Sequence, residues 1–159
     1  MKRVFHLVAI AVFVLAAGVA TRAQSNPLVG TWKLNLEKSK YDPGPAPKSL
    51  TRTVVADGDG VKYTFAGVAA DGAAISYGFA VKFDGKDNPI TGTGPYGSDS
   101  ISAAKADATH YVATVKKGGK AIAVSKVAVS SDGKTTTVEA SGTNPAGAKT
   151  HDVQVWEKQ

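Results

Sequence analysis

The side chains that most often bind metal ions are scarce in this sequence, which has no cysteine and three histidines. His110 and His151 are far apart, and neither has a second ligand at the spacing of a zinc site, although adjacent strands could still pair them. The Asp-Gly-Asp-Gly run at residues 57–60 is similar to the start of a calcium loop, but residues 61–69 contain no carboxylate to complete it. We therefore predict no metal site, and interpret these residues as strand histidines and a hairpin turn.

Two motifs that carry cofactor or catalytic chemistry are incomplete. Residues 92–97 match Gly-x-Gly-x-x-Gly, and a dinucleotide site needs such a loop to begin a helix that faces the pyrophosphate. Here Pro95 lies inside the loop and no helical pattern follows, so we interpret it as a flexible glycine loop. The Gly-x-Ser-x-Gly motif of serine hydrolases does not occur. The sequence predicts no catalytic residue, no cofactor and no enzyme activity.

Aromatic side chains at alternating positions are better candidates for a functional site. Tyr63 and Phe65 alternate with polar residues, and a longer apolar stripe occupies the odd positions of residues 75–83. Alternate side chains of a strand share one face, so these aromatics are expected on the same surface. They would line a ligand cavity or, alternatively, fill a solid core. The candidate ligand-binding residues are Trp32, Tyr63, Phe65, Tyr77, Phe79 and Phe83.

Short strands joined by tight turns must position these aromatics. Asp-Gly or Gly-Gly pairs begin at residues 57, 59, 71, 84, 118 and 132. Such pairs supply the positive φ angles of tight antiparallel hairpins. No segment has apolar residues at helical spacing over three turns. We therefore predict an all-β fold, a single antiparallel up-and-down β-barrel of about 8–10 strands, with a two-sheet sandwich as the alternative.

The phase of the apolar residues predicts which side chains face the core. Leu36 follows Trp32 and Leu34 at alternate positions, so all three are expected on the core face of the first strand. Within residues 122–129 the apolar positions change from even to odd numbers, from Ile122 and Val124 to Val127 and Val129. A β-bulge near Ser125 and Lys126 would explain that change.

Three further segments have local expectations. Val153 and Val155 are predicted to face the core, which would place Trp156 on the polar face of the last strand. Three prolines within residues 43–47 exclude both helix and central strand, so this segment is expected to be an extended loop. Residues 100–107 are rich in small side chains and are expected to form either a strand or a short helical turn.

The N-terminal residues have the layout of a secretory signal peptide: Lys2 and Arg3, then an apolar run, then small residues to about Ala23. We expect residues 1–23 to be removed and residues 24–159 to fold as one β-barrel domain, secreted or periplasmic; an uncleaved membrane anchor is the alternative. Cleavage would lower the basic residues from 19 to 16 against 13 acidic ones, a net charge of +3. The remaining lysines are scattered and cysteine is absent, so we expect neither nucleic-acid binding nor a stable membrane anchor after cleavage.

The first strand-like run resembles the opening of a known barrel family. Gly30 and Trp32 match the Gly-x-Trp signature of lipocalins and fatty-acid-binding proteins, the calycin β-barrels. Residues 30–41, with residues 84–87 and 131–134, are also similar to short secreted bacterial proteins of unknown function that are described as lipocalin-like. The resemblance implies a barrel whose tryptophan plugs one end and whose interior binds small apolar ligands. In lipocalins an arginine near the chain end stacks on this tryptophan, whereas this sequence has no arginine there.

Together these features favour a secreted or periplasmic lipocalin-like protein that binds a small apolar or amphipathic ligand. Binding would be passive: an apolar cavity desolvates the ligand, while Tyr63, Tyr77 or Lys82 at the mouth orients its polar end. The alternative is a solid-core structural or protein-interaction module of the cell envelope without a small-molecule ligand. The sequence identifies no protein partner.

Overall fold

The computed structural model describes residues 26–159, and the predicted signal peptide at residues 1–23 lies outside this range. The described residues form eleven strands and one short 3₁₀ turn at Pro95–Gly97. No helix among them has the length and hydropathy needed to cross a membrane. The strands are β1 (Gly30–Lys40), β2 (Ser49–Asp57), β3 (Gly60–Val68), β4 (Ala74–Val81), β5 (Asp84–Pro89), β6 (Thr91–Gly92), β7 (Ser100–Lys105), β8 (His110–Lys117), β9 (Lys120–Val129), β10 (Thr135–Thr143) and β11 (Lys149–Lys158).

All eleven strands belong to one antiparallel sheet that curls into a nearly closed barrel. Consecutive strands are neighbours from β1 to β4 and from β7 to β11, and β11 pairs with β1. The sheet edges are β5 and β6, which leave a seam beside β4. The predicted all-β, lipocalin-like barrel is confirmed. The strand number exceeds the predicted range because β6, a two-residue strand, pairs with Tyr77 and Gly78.

Trp32 closes one end of the barrel, which we call the floor. Its side chain is fully buried, and its indole Nε1 donates a hydrogen bond of 2.8 Å to the carbonyl oxygen of Leu28. Val54 and Val61 are buried in the same core. Lys158 lies across the start of β1, where a Cβ on Gly30 would come within 2.6 Å of the lysine Cε. The floor is therefore a packed apolar plug with a cation beside it.

The first strand does not keep one phase over its whole length. Its pairing with β11 is irregular between Asn35 and Lys40, where the Ser39 hydroxyl accepts the N–H of Val155 at 2.9 Å. Leu36 lies within this irregular segment and is 39% exposed. The prediction that Leu36 faces the core is wrong, because the bulge turns its side chain outward.

The phase change in β9 also lies elsewhere than predicted. Ile122 is the extra residue in the pairing of β8 with β9, whereas the sequence pattern suggested a bulge near Ser125 and Lys126. Ala123 is consequently buried, and Val124 is 43% exposed on the outer face. The bulge lies at Ile122, the first of the apolar positions that were used to infer it.

The last strand has the opposite orientation to the predicted one. Trp156 is 1% exposed and Asp152 is also buried, so the even-numbered residues of β11 face the interior. Val153 and Val155 therefore lie on the other face of the strand. This orientation buries the large indole of Trp156, while the two valines on the outer face remain partly covered. It therefore removes more apolar surface from water than the opposite orientation would. Residues 100–105, for which two conformations were considered, form strand β7.

Candidate functional site

The barrel encloses a cavity of about 700 Å³, a volume within the range of small-molecule pockets. Its lining is predominantly apolar. The end opposite the floor, which we call the rim, is bordered by loops at residues 41–47, 69–70, 93–96 and 144–146. Nine aromatic side chains line the cavity: Tyr41, Tyr63, Phe65, Tyr77, Phe79, Phe83, Tyr96, Tyr111 and Trp156.

Five of the six candidate ligand-binding residues line this cavity, namely Tyr63, Phe65, Tyr77, Phe79 and Phe83. The sixth, Trp32, lies in the floor and is not part of the lining. That any of these side chains contacts a ligand stays a prediction.

The polar groups expected at the mouth have a different arrangement. Lys82 is exposed and does not line the cavity, because it alternates with the lining residues Val81 and Phe83. Tyr63 and Tyr77 do line it, but both lie inside the barrel rather than at the rim: Tyr63 pairs with Val54 of the floor, and Tyr77 pairs with Phe65 one level higher. Any orienting polar contact from these tyrosines would therefore be made deep inside the barrel.

Stacked aromatic rings form one wall of the cavity. The rings of Phe65 and Tyr77 have centroids 4.5 Å apart and planes 10° apart, and those of Tyr63 and Phe79 lie 4.9 Å apart. Such pairs stabilise each other beyond the area they bury, by about 0.5–1.5 kcal/mol. Strands β7, β8 and β9 contribute small side chains instead. Their alanines leave the space that makes the interior hollow: Ala103, Ala113 and Ala123.

A buried arginine lies where the cavity meets the floor. Arg52 is 4% exposed, and its guanidinium carbon is 4.7 Å from the ring centroid of Trp156 and 5.0 Å from that of Trp32. Lys158 Nζ also lies 5.0 Å from the Trp32 centroid. Cations over indole rings are attracted by the ring quadrupole. Arg52 and Lys158 thus provide the cation contacts to this tryptophan.

Sequence reasoning missed Arg52, although its position carries a signal. The residue is in phase with Leu50 and Val54, which are both buried, so strand alternation alone places it on the core face of β2. The expectation that a charged side chain lies on the solvent face obscured this signal.

A second buried polar group holds the rim. The Asp152 carboxylate accepts a hydrogen bond of 3.2 Å from the backbone N–H of Asp42 and another of 3.2 Å from the hydroxyl of Tyr96. The carbonyl oxygen of Asp42 also accepts the backbone N–H of His151 at 2.6 Å. Asp152 therefore ties two rim loops to β11. The hydroxyl of Tyr41 is buried beside them without a hydrogen-bond partner.

The charge state of the lower cavity follows from its burial. Burial raises the pKa of Tyr63 to about 12 and also raises the pKa of Tyr77, with the positive charge of Arg52 opposing both shifts. Burial lowers the pKa of Arg52 to about 10. At neutral pH the lower cavity therefore holds one guanidinium cation and two neutral phenols, all of which are hydrogen-bond donors.

These tyrosines predict a loss of stability at alkaline pH. Burial gives Tyr63 a pKa of about 12 in the folded protein, against the ordinary value of 10.0 for a tyrosine. The contribution of the Tyr63 hydroxyl to the free energy of unfolding is fully present below pH 10. It is lost as the pH rises toward 12, because this tyrosine ionises at a lower pH in the unfolded chain than in the folded protein. We measure the free energy of unfolding by chemical denaturation at about pH 9 and at about pH 11. Between these two pH values it should fall by about 1 kcal/mol less in Tyr63→Phe than in the wild type. Arg52 changes the pH dependence of the free energy of unfolding in the opposite direction, but it is present in both proteins. An equal fall in the free energy of unfolding for Tyr63→Phe and the wild type would contradict the prediction.

His110 and His151 lie outside the cavity and apart from each other. His110 lies on β8, and its Nδ1 is 2.9 Å from Asp107 Oδ1. His151 lies on β11, which strands β9 and β10 separate from β8. A metal site shared by adjacent strands is therefore not formed. Among residues 26–159, no group of three or more metal-binding side chains is assembled.

His151 does have a serine and a glutamate beside it on the outer face. Its Nδ1 is 3.0 Å from Ser141 Oγ, and its Nε2 is 3.6 Å from Glu139 Oε1. The histidine and glutamate side chains are both about half exposed, at 52% and 51%. Solvent screens a pair of this kind, so it offers little of the desolvated environment that activates a serine nucleophile.

Comparison with known proteins yields structural matches only. No protein-family model matches the sequence, and no curated protein sequence matches it. The crystal structure of zebrafish ileal bile acid-binding protein complexed with cholic acid matches with a TM-score of 0.53 and 14% identity, over 84% of this chain and 99% of that chain. Lobster apocrustacyanin A1 matches with a TM-score of 0.44 and 11% identity, over 86% of this chain and 63% of that chain. The bile acid-binding protein match and the nearly closed antiparallel barrel show that this chain has the lipocalin-like fold of the calycin barrels.

Proposed function

We propose that this protein binds a small hydrophobic or amphipathic ligand inside its barrel, and that it acts in the periplasm or outside the cell. The observation that carries the proposal is the cavity of about 700 Å³ with its aromatic lining. Transfer of apolar ligand surface from water into such a cavity is favourable by about 25 cal/mol per Å². The protein's own contribution is a preformed, predominantly apolar interior.

Two further observations support this proposal. The zebrafish protein that shares the fold is complexed with cholic acid, a small amphipathic molecule. The N-terminal sequence has the charged, apolar and small-residue layout of a secretory signal peptide, which supports an extracytoplasmic location. The first observation supports a binding role, and the second supports the location.

The cavity does not favour the solid-core alternative. The alanines on β7, β8 and β9 face the aromatic rings of β3 and β4 across open space rather than across packed side chains. Natural cores are close-packed, and a void of this size sacrifices many dispersion contacts. A hollow interior in a small barrel is therefore better explained by a ligand than by a structural role.

Titration with the neutral fluorophore aminoanthracene tests the proposal. We expect a saturable rise in emission with one site per chain, and displacement by members of a panel of fatty acids, alcohols and sterols. A ligand that binds only the folded state at about 100 times its Kd should stabilise the protein by about 2.7 kcal/mol, seen as a higher melting temperature. Linear, non-saturable emission and no thermal shift with any member of the panel would contradict ligand binding.

A further inference from the structure

The carboxylate of Asp152 carries a negative charge that the fold does not need. The residue is 7% exposed and lines the cavity at the rim. Each of its oxygens accepts one hydrogen bond of 3.2 Å, from the backbone N–H of Asp42 and from the hydroxyl of Tyr96. Both donors are neutral, and a neutral acceptor also takes hydrogen bonds from such groups. Holding the two rim loops therefore requires an acceptor at this position, but not a charge.

No cation pairs with this carboxylate within residues 26–159, where Asp152 takes part in none of the ion pairs. Arg52 also lines the cavity, but it lies at the floor beside Trp156. Trp156 is four residues further along β11 than Asp152, which is about 13 Å at the rise of a β-strand. A buried charge without a counterion is costly, since no opposite charge compensates its lost hydration.

A second group at the rim has unused hydrogen-bonding capacity. Tyr41 lines the cavity, and its buried hydroxyl has no hydrogen-bond partner. Burial raises the pKa of Tyr41 above its usual range, and the negative charge of Asp152 adds to this shift. The hydroxyl is therefore neutral at neutral pH, and the carboxylate is close enough to act on it. Since each carboxylate oxygen has a further lone pair, the rim offers several acceptors and one negative charge to a group inside the cavity.

From this arrangement we infer that the ligand is an amphipathic amine whose ammonium group binds at the rim, between the carboxylate of Asp152 and the hydroxyl of Tyr41. The inference rests on the proposed function and specifies its ligand class. A primary ammonium has three donors and one positive charge, which match the acceptors and the charge that the fold leaves unpaired. The apolar tail extends from the rim toward Trp156, between the aromatic wall and the alanines of β7 to β9.

Charge selection is tested with dodecylamine and dodecanol, which share a tail and differ in the head group. At neutral pH the amine is protonated, because an alkylamine titrates near the pKa of lysine, about 10.4. Displacement of aminoanthracene should show dodecylamine binding roughly tenfold or more tightly, as expected for a charge-assisted hydrogen bond. The chain has a net positive charge, so a general charge effect would oppose this preference.

Equal affinity for both probes in the wild type, or tighter binding of dodecanol, would overturn the inference but leave the proposed function standing. Failure of every probe, aminoanthracene included, would instead reject the function itself.

Two substitutions at the rim form a matched pair. Asp152→Asn and Asp42→Asn each remove one negative charge, but the Asp42 side chain is exposed and does not line the cavity. Asp152→Asn keeps an acceptor for the rim loops and should abolish the preference for the amine, whereas Asp42→Asn should retain it. Tyr41→Phe should reduce the preference. A preference that survives Asp152→Asn, or that both aspartate variants lose equally, would overturn the inference.

Orientation is tested without any substitution. The sequence has two tryptophans, and both contact Arg52 at the floor. Bromine quenches indole fluorescence at short range, so dodecylamine brominated at its terminal carbon should quench the protein's fluorescence as it displaces aminoanthracene, whereas unbrominated dodecylamine should not. Displacement without quenching by the terminal bromine would show that the tail does not reach the floor and would overturn the inference. Because this readout uses the wild type, it remains decisive even if Asp152→Asn does not fold.

Discussion

Ala103→Phe is expected to abolish ligand binding while the barrel stays folded. Ala103 is 6% exposed and lines the cavity from β7. A phenyl group there would occupy the space that the alanines leave open and would gain contacts with apolar neighbours. The affinity for aminoanthracene should fall by at least about tenfold, which corresponds to about 1.4 kcal/mol. Fluorescence titration measures the affinity, and circular dichroism confirms that the strands remain.

The adjacent residue provides the matched control. Ala104 is exposed on the outer face of the same strand, so Ala104→Phe adds the same side chain without entering the cavity. This control should bind as the wild type does. If both variants bind equally well, or if Ala104→Phe alone loses the ligand, then the ligand does not occupy the barrel interior.

Trp32→Ala is expected to cost the largest free energy of unfolding of the substitutions considered, about 3–5 kcal/mol. The substitution removes a fully buried indole, its 2.8 Å hydrogen bond to Leu28 and the ring that contacts Arg52. It therefore leaves a cavity, an unpaired carbonyl and a less shielded buried cation. Urea denaturation measures the loss.

The neighbouring Thr31 is exposed on the same strand and is the control. Thr31→Ala should change the free energy of unfolding by no more than about 0.5 kcal/mol, as surface substitutions usually do. A Trp32→Ala loss of similar size to this control would mean that the floor does not hold the barrel together.

Strict alternation explains why part of the cavity was predictable from the sequence. The stripes in β3 and β4 face one enclosed interior, so the period of two in residues 61–65 and 75–81 is uninterrupted and correctly assigns the inward side chains. The resemblance of Gly30 and Trp32 to the Gly-x-Trp signature implied the floor, where Trp32 is fully buried. These inferences needed no knowledge of the neighbouring strands.

The errors arose where the neighbouring strand decides the phase. Leu36 turns outward where the pairing of β1 with β11 is irregular and the Ser39 hydroxyl accepts the backbone N–H of Val155. The bulge at Ile122 depends on the register between β8 and β9. In β11 both faces carry apolar residues, so periodicity alone cannot choose between Trp156 and Val155. The buried contacts of Trp156 with Arg52 and with Phe65, whose ring centroid is 6.1 Å away, decide the orientation.

Polar groups of the site were the least predictable. Lys82 was expected to orient the polar end of a ligand at the mouth, but its side chain is exposed and does not line the cavity. Arg52 and Asp152 have the opposite placement, since each lies in phase with buried neighbours on its strand. Buried charges are rare in proteins, so a sequence pattern assigns them to the solvent face unless their phase is given more weight than their charge.

Native mass spectrometry of the wild type and Ala103→Phe, each mixed with dodecanoate, tests most directly whether the barrel interior is a ligand site. The hollow interior predicts a wild-type adduct of one dodecanoate per chain that survives gentle desolvation, and its loss in the variant whose cavity is filled. The same adduct in both proteins, or no wild-type adduct with dodecanoate or with any other member of the panel of fatty acids, alcohols and sterols, would contradict a ligand-binding cavity.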